Sequence, residues 1–259
     1  MIHRWMRNSS LAFFMVFFSF SAAVAQEIEA LPDEQVKERL SFVEKALYSA
    51  QSGAKIWWYG WISAYSAGTI VQWGLAKAHW NDTKWDKSAP VPHKVRDRGF
   101  AEDMLVGGAT TALGVGGLLI DPFRPAYSPN KLRLMPEGSL QERRTKLLKS
   151  EEILRQCAQR ERDGRGWMTH MLNIGFNAAA GLVTAVAFRR PWYDGLITFA
   201  TGEAVSLLNI YTQPRRAVRD LKNYEVKYLG RQAASVQNPS DRSWFFSAYP
   251  GGFSVGMRF

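Results

Sequence analysis

Residues 56–76 read IWWYGWISAYSAGTIVQWGLA and contain no charged side chain in 21 positions. Helices of 17 to 23 residues measure about 26 to 35 Å at 1.5 Å per residue, which brackets the roughly 30 Å apolar thickness of a bilayer. No alternation of period two is visible, which favours helices over strands. Three later stretches are similarly free or nearly free of charge, namely residues 104–120, 166–188 and 192–214. The sequence therefore predicts an all-α fold with two hydrophobic helical hairpins.

The aromatic side chains of the first stretch favour a membrane. Indole and phenol rings prefer the two interfaces of a bilayer. The alternative is a set of buried helices in a soluble bundle, because the stretches are rich in small and polar residues and the chain has a mean hydropathy of -0.23. The rings at one end of the stretch are Trp57, Trp58, Tyr59 and Trp61, and those near the other end are Trp73 and Trp80.

An amphipathic helix is predicted for residues 26–53, before the first apolar stretch. Asp33 is placed to cap it, and Gly53 is placed to end it. The apolar residues recur at spacings of three and four, so they form one stripe that faces an apolar partner. They are Val36, Leu40, Val43, Leu47 and Ala50.

The predicted helical domain, residues 54–232, has two polar connectors. Residues 79–101 contain Pro90 and Pro92 and predict an extended linker, and residues 121–138 contain four prolines and predict irregular structure. Ser139 and Glu142 then have the spacing of a capping box, which predicts a charged helix to about Asp163. Its thin apolar stripe is Leu140, Leu147, Leu148, Leu154, Cys157 and Ala158.

A basic amphipathic helix is predicted after Pro214. Its apolar side carries Ala217, Leu221, Tyr224 and Tyr228. One interpretation is contact with anionic lipid head groups, and the other is a bundle helix with a solvated cationic face. The surrounding basic residues are Arg215, Arg216, Arg219, Lys222 and Lys227.

The first 25 residues predict a cleavable signal peptide. A basic start is followed by an apolar run and by Ala23 and Ala25 around Val24, which predicts cleavage after Ala25. Cleavage removes two arginines and no acidic residue, so the net charge falls from +10 to +8. Cys157 is the single cysteine, which excludes an internal disulfide.

Residues 233–259 predict a linker and a short β-hairpin-like tail. Phe253, Val255, Met257 and Phe259 are apolar at every second position and end the chain. This pattern resembles the carboxy-terminal strand of bacterial outer-membrane proteins. The resemblance covers about the last 16 residues and implies association with the outer membrane.

The distribution of Lys and Arg conflicts with threading through the inner membrane. If the signal were cleaved and all four stretches crossed, twenty-three basic residues would lie outside and eight inside. This reverses the positive-inside rule. We therefore expect the helices to pass the inner membrane and to reside at the outer membrane or its periplasmic face.

Polar residues inside the apolar stretches are the candidate site. His170, Asn173 and Asn177 share one helical face, and Asp194 and Glu203 lie in the following stretch. Ionisable groups in apolar helices usually face partners, water or a substrate path. A hairpin through residues 189–191 would bring Glu203 level with Asn177.

Small residues predict a helix-packing face in the second stretch. Gly108, Ala112 and Gly116 recur at intervals of four, which allows close approach of two helix backbones. No catalytic, metal-binding or nucleotide-binding motif is present, so no cofactor or metal is expected.

These patterns predict a non-catalytic structural or interaction protein of the bacterial cell envelope, associated with the outer membrane. The expected partners are lipids with anionic head groups, together with an envelope protein or further copies of the chain, and not nucleic acid. The alternative is a membrane-embedded enzyme or transporter acting on lipid or a small envelope substrate, with His170 and either Asp194 or Glu203.

Overall fold

Six α-helices account for most of residues 28–230, which a computed structural model describes together with residues 243–249 and 252–258. The fold is all-α, as predicted. In chain order the helices are α1 (Asp33–His79), α2 (Gly99–Ile120), α3 (Leu140–Asp163), α4 (Trp167–Leu182, continued by a π-helical turn Val183–Ala187), α5 (Trp192–Thr212) and α6 (Arg216–Tyr228).

Helix α1 is continuous over 47 residues, about 70 Å. It joins the amphipathic helix and the first apolar stretch, so the predicted end at Gly53 is wrong. Gly53 does not have a positive φ, and an isolated glycine costs a helix only about 1 kcal/mol. Packing offsets that cost, because Ala54 and Trp57, one and four positions after Gly53, are buried in a cluster with Phe123.

The first half of α1 packs with α3 and α6 in a bundle. The stripe of α1 is buried as predicted, from Val36 to Ala50. The capping box at Ser139 is also confirmed: its side chain accepts a hydrogen bond from the Glu142 amide, and the Glu142 carboxylate accepts one from the Ser139 amide. The shared core is Val43, Leu47, Leu132, Ile153, Leu154, Cys157, Ala158, Ala217, Leu221 and Tyr224.

Helix α6 directs its apolar side into this bundle. Ala217, Leu221 and Tyr224 are buried there, so this face is not available to lipid. The structure therefore has α6 as a bundle helix, with the basic residues Arg215, Arg219 and Lys222 exposed on its outside. Lys227, which is also exposed, pairs with Glu38 at 2.9 Å.

The second half of α1 and helices α2, α4 and α5 form the other half of the molecule. Helix α2 packs along α1, and α4 and α5 form the predicted antiparallel hairpin. Two helical segments of the described chain, Gly99–Ile120 and Trp167–Ala187, are long and apolar enough to cross a membrane. Only about a fifth of each is buried inside the fold, so their apolar side chains face outward.

Both polar connectors contain regular structure. Residues 79–101 hold an antiparallel hairpin of β1 (Thr83–Asp86) and β2 (His93–Arg96), in place of the predicted linker. Pro90 and Pro92 fall between the strands, where a missing amide donor costs no ladder bond. Residues 121–138 contain 3-10 segments at Arg124–Ala126 and Ser128–Leu134, each with proline in its first turn.

The tail forms the predicted hairpin. Strand β3 (Ser243–Tyr249) pairs antiparallel with β4 (Gly252–Arg258), with Ser243 opposite Arg258 and Tyr249 opposite Gly252. The predicted signal peptide, the linker from residue 233 and the terminal Phe259 lie outside the described residues.

Candidate functional site

A polar contact joins α4 and α5 in the middle of their apolar hairpin. The buried Asn177 amide donates hydrogen bonds to the Glu203 carboxylate at 3.0 Å and to the Ser206 hydroxyl at 3.1 Å. The prediction that Glu203 lies level with Asn177 is thereby confirmed. Interhelical bonds of this kind stabilise apolar helix pairs by about 0.6 to 2 kcal/mol in lipid.

Three glycines bring the two helices together at this point. A Cβ on Gly181 or on Gly195 would lie 2.5 Å from the carbonyl oxygen of the other glycine. A Cβ on Gly202 would overlap the Asn177 amide. The spacing of small residues in the sequence did not identify these three glycines, because their role depends on how the two helices are rotated against each other.

His170 and Asn173 continue the line of polar residues toward the start of α4. The His170 ring lies 6.3 Å from the Tyr211 ring between centroids, at the end of α5. On α5, the Asn209 amide nitrogen is buried without a hydrogen-bond partner among the described residues. The sequence pattern did not indicate Ser206 and Asn209, which lie three and six residues after Glu203. We call the residues His170, Asn173, Asn177 and Glu203 the polar seam.

Asp194 lies outside the polar seam. Nine residues separate it from Glu203 on α5, or about 13 Å along the helix. It binds Arg190 at 2.9 Å, and Arg190 also pairs with Asp103 and donates to the Gly99 carbonyl at 3.0 Å. Asp194 therefore takes part in an ion-pair network that joins α2 to the α4–α5 hairpin.

The predicted packing face on α2 contacts α1 at only part of its length. Gly108 is buried, and a Cβ there would overlap the Trp73 indole. At Gly116 a Cβ would meet nothing within 4 Å, and Ala112 is half-buried. The remaining close contacts come from Gly107 against Gln72, from Gly114 against Tyr65, and from Thr111, whose hydroxyl lies 2.9 Å from that of Thr69.

Indole hydrogen bonds define the level at which the bundle meets the apolar half. Trp57 and Trp61 both donate to the Thr212 hydroxyl, at 3.2 and 3.1 Å, and Trp58 donates to the Leu118 carbonyl at 3.1 Å. We call this the bundle-side level. The opposite end, marked by the Arg190 network and the β1–β2 hairpin, is the hairpin-side level.

Glu161 is a buried carboxyl close to the bundle-side level. Its Oε2 accepts a hydrogen bond from the Val218 amide at 3.0 Å, and its Oε1 has no hydrogen-bond partner. Burial raises its pKa to about 7, against the opposing effect of the Val218 and Ala217 amides. Asp220 also raises this pKa, and Arg165 lowers it.

The raised pKa of Glu161 predicts that the free energy of unfolding depends on pH. Folded Glu161 keeps its proton up to about pH 7, whereas in the unfolded chain it ionises near its ordinary pKa of 4.5. The free energy of unfolding therefore falls as the pH rises through that window. Thermal melts of Glu161→Gln should lack this fall. Glu152→Gln, an exposed position on the same helix, should keep it. Equal pH profiles for the wild type and Glu161→Gln would contradict the assignment.

Within the described residues, no group of three or more His, Cys, Asp or Glu side chains is arranged to hold a metal ion. Cys157 is buried in the bundle core, and burial raises its pKa to about 12, so it is not a reactive thiolate.

Comparisons of the chain with protein-family models, with curated proteins and with solved structures gave no match.

Proposed function

We propose that the chain is a non-catalytic structural or interaction protein embedded in a membrane of the bacterial cell envelope. In this proposal the second half of α1 and helices α2, α4 and α5 lie in the bilayer, and the bundle of α1, α3 and α6 lies outside it. The observation that carries the proposal is the outward orientation of large apolar side chains along these segments.

The exposure of these side chains is too extensive for a helix in water. Ile70 is 72% exposed, Val186 is 70% exposed and Ile197 is 61% exposed. Soluble monomers rarely expose contiguous apolar patches of more than a few hundred square ångströms. In the bundle half, by contrast, the apolar residues of α1 and α3 are buried. The surface of the bundle half is therefore suited to water, and the surface of the other half is suited to lipid.

The dimensions also support insertion. From Trp57 at the bundle-side level to Lys77 near the end of α1 is twenty residues, or about 30 Å, which matches the apolar thickness of a bilayer. Aromatic residues stand at both levels, as in membrane proteins. Trp167 and Tyr211 lie at the bundle-side level, and Trp80 and Trp192 lie at the hairpin-side level.

A structural role for the polar seam is favoured by the distances between the three candidate ionisable groups, His170, Asp194 and Glu203. The His170 ring on α4 lies beside Tyr211 near the end of α5, whereas Glu203 lies eight residues before Tyr211, about 12 Å away along that helix. Asp194 is farther still and is occupied by Arg190. No two of these three groups are placed to share one reacting atom, so we favour helix association over catalysis.

The enzyme or transporter alternative has a direct test. We expect a strain with the His170→Ala and Glu203→Gln changes to keep normal envelope integrity and normal amounts of the protein. Glu203→Gln keeps an acceptor for the Asn177 amide, so the hairpin should remain intact. Loss of envelope function at unchanged protein levels would favour the alternative.

For the location we propose the outer membrane or its periplasmic face. The amino-terminal signal pattern, the reversed balance of basic residues and the carboxy-terminal pattern support this proposal. Cell fractionation followed by a carbonate wash tests it. The protein should stay in the outer-membrane fraction after the wash. Retention in the inner membrane would refute the location, and release by carbonate would refute membrane embedding.

A further inference from the structure

Three arginines, which we call the arginine cluster, lie where the chain passes between the bundle and the apolar half. Arg162 is in the last turn of α3, Arg165 is in the turn between α3 and α4, and Arg215 directly precedes α6. The structure brings these residues, 53 positions apart at most, to the bundle-side level.

Arg165 fixes this cluster to the end of α5. Its guanidinium donates to the Tyr211 carbonyl at 2.8 Å and to the Gln213 carbonyl at 2.6 Å, and it lies 5.9 Å from the centre of the Tyr211 ring. Its Nε has no hydrogen-bond partner. Burial, and to a smaller extent the nearby charge of Arg215, lower the pKa of Arg165.

Carboxylates neutralise other basic residues of the bundle but not this cluster. Arg160 pairs with Asp121, Arg216 with Asp220, and Lys227 with Glu38. Within residues 28–230, Arg162 and Arg215 are exposed and form no ion pair. Glu161 is the carboxyl that acts on Arg165, but it is buried, bound to the Val218 amide and protonated up to about pH 7.

We propose that Arg162, Arg165 and Arg215 bind the phosphate of an anionic membrane lipid. This proposal rests on the proposed membrane embedding, which puts the cluster at the depth of the lipid phosphates. Guanidinium groups form paired hydrogen bonds with phosphate oxygens. The neighbouring Trp167 and Tyr211 side chains are exposed at the same level, where they would contact the upper part of the acyl chains.

This site differs from the lipid contact expected from the sequence, in which all the basic residues around α6 would face anionic head groups. That helix runs away from the bundle-side level, from Arg216 beside Ser49 to Tyr228 beside Arg39. Only its beginning is close to the membrane. Arg219 and Lys222 are also exposed but lie farther along α6, which makes them a matched control with the same loss of charge.

The test measures lipid selectivity of the full chain in vesicles. The protein is first reconstituted in phosphatidylcholine vesicles, and flotation checks that it is integrated. Spin-labelled phosphatidylglycerol and spin-labelled phosphatidylcholine then report which lipid is held at the protein surface. Each arginine near an anionic head group contributes about 1 kcal/mol, so we expect a preference for phosphatidylglycerol of about fivefold or more.

The double variant Arg162→Gln and Arg215→Gln should lose most of this preference, because both side chains are exposed and make no structural bond. The Arg219→Gln and Lys222→Gln double variant should retain it. Equal preference in all three proteins, or none in the wild type, would overturn the proposal.

Excess inorganic phosphate, compared with chloride at equal ionic strength, should not abolish the preference for phosphatidylglycerol. If it does, the site binds free phosphate and the proposal of a lipid site is overturned. Failure to float in the first step would refute membrane embedding itself.

Discussion

Ile197→Lys is expected to remove most of the membrane-integrated protein. Ile197 lies five positions after Trp192 in α5, about 8 Å from the hairpin-side level, and faces outward. A lipid-facing lysine costs up to about 2.5 to 3.5 kcal/mol on insertion scales, with the largest cost at the bilayer centre. If α5 were instead in water, a surface change of this kind would alter stability by at most about 0.5 kcal/mol. The measurement is the carbonate-resistant amount of protein, together with thermal unfolding in lipid nanodiscs.

The matched control for this change is Val226→Lys in α6. Val226 is 48% exposed, but it belongs to the bundle that we place in water. Its replacement by lysine should leave both the membrane-integrated amount and the unfolding temperature close to those of the wild type. Similar losses in the two variants would show that general stability, and not the bilayer, determines the outcome.

Gly195→Leu is expected to separate α4 from α5. The Cβ of any larger residue would lie 2.5 Å from the Gly181 carbonyl oxygen, and that atom belongs to the backbone of α4, which cannot rotate away. Overpacking typically costs 1 to 3 kcal/mol, and we expect about 3 kcal/mol or more here because the Asn177 hydrogen bonds across the same interface would also be lost.

Gly175→Leu on α4 is the control for steric overlap. A Cβ at Gly175 would meet nothing within 4 Å. Replacing this glycine should stabilise the helix by up to about 1 kcal/mol through helix propensity. The two leucine variants should therefore shift the unfolding temperature in detergent in opposite directions. A destabilised Gly175→Leu, or a Gly195→Leu that melts like the wild type, would contradict the hairpin geometry.

Features with local physical causes could be predicted from the sequence. The capping box at Ser139 involves residues three positions apart, and it sets the start of α3. The α4–α5 hairpin follows from two apolar stretches of similar length with a proline between them, which fixes the level of Asn177 and Glu203. The stripe of α1 has a clear helical period, so its buried face was also predictable.

Features that depend on distant residues could not be predicted. The continuity of α1 through Gly53 depends on Phe123, which is seventy positions away. The choice of Gly108 over Gly116 in packing depends on how α2 is rotated against Trp73. The meeting of Arg165 and Arg215 depends on the path of the α4–α5 hairpin, and no spacing in the sequence encodes it.

The central claim is that the apolar half of the molecule lies in a bilayer, and site-directed spin labelling tests it most directly. Cys157 is replaced by alanine, a single cysteine is placed at Leu172 on the outward face of α4, and the labelled protein is reconstituted in vesicles. The label at Leu172 should be reached by oxygen and shielded from a water-soluble nickel complex, whereas a label at Val226 should be open to nickel. Equal access of nickel to both labels would contradict the claim.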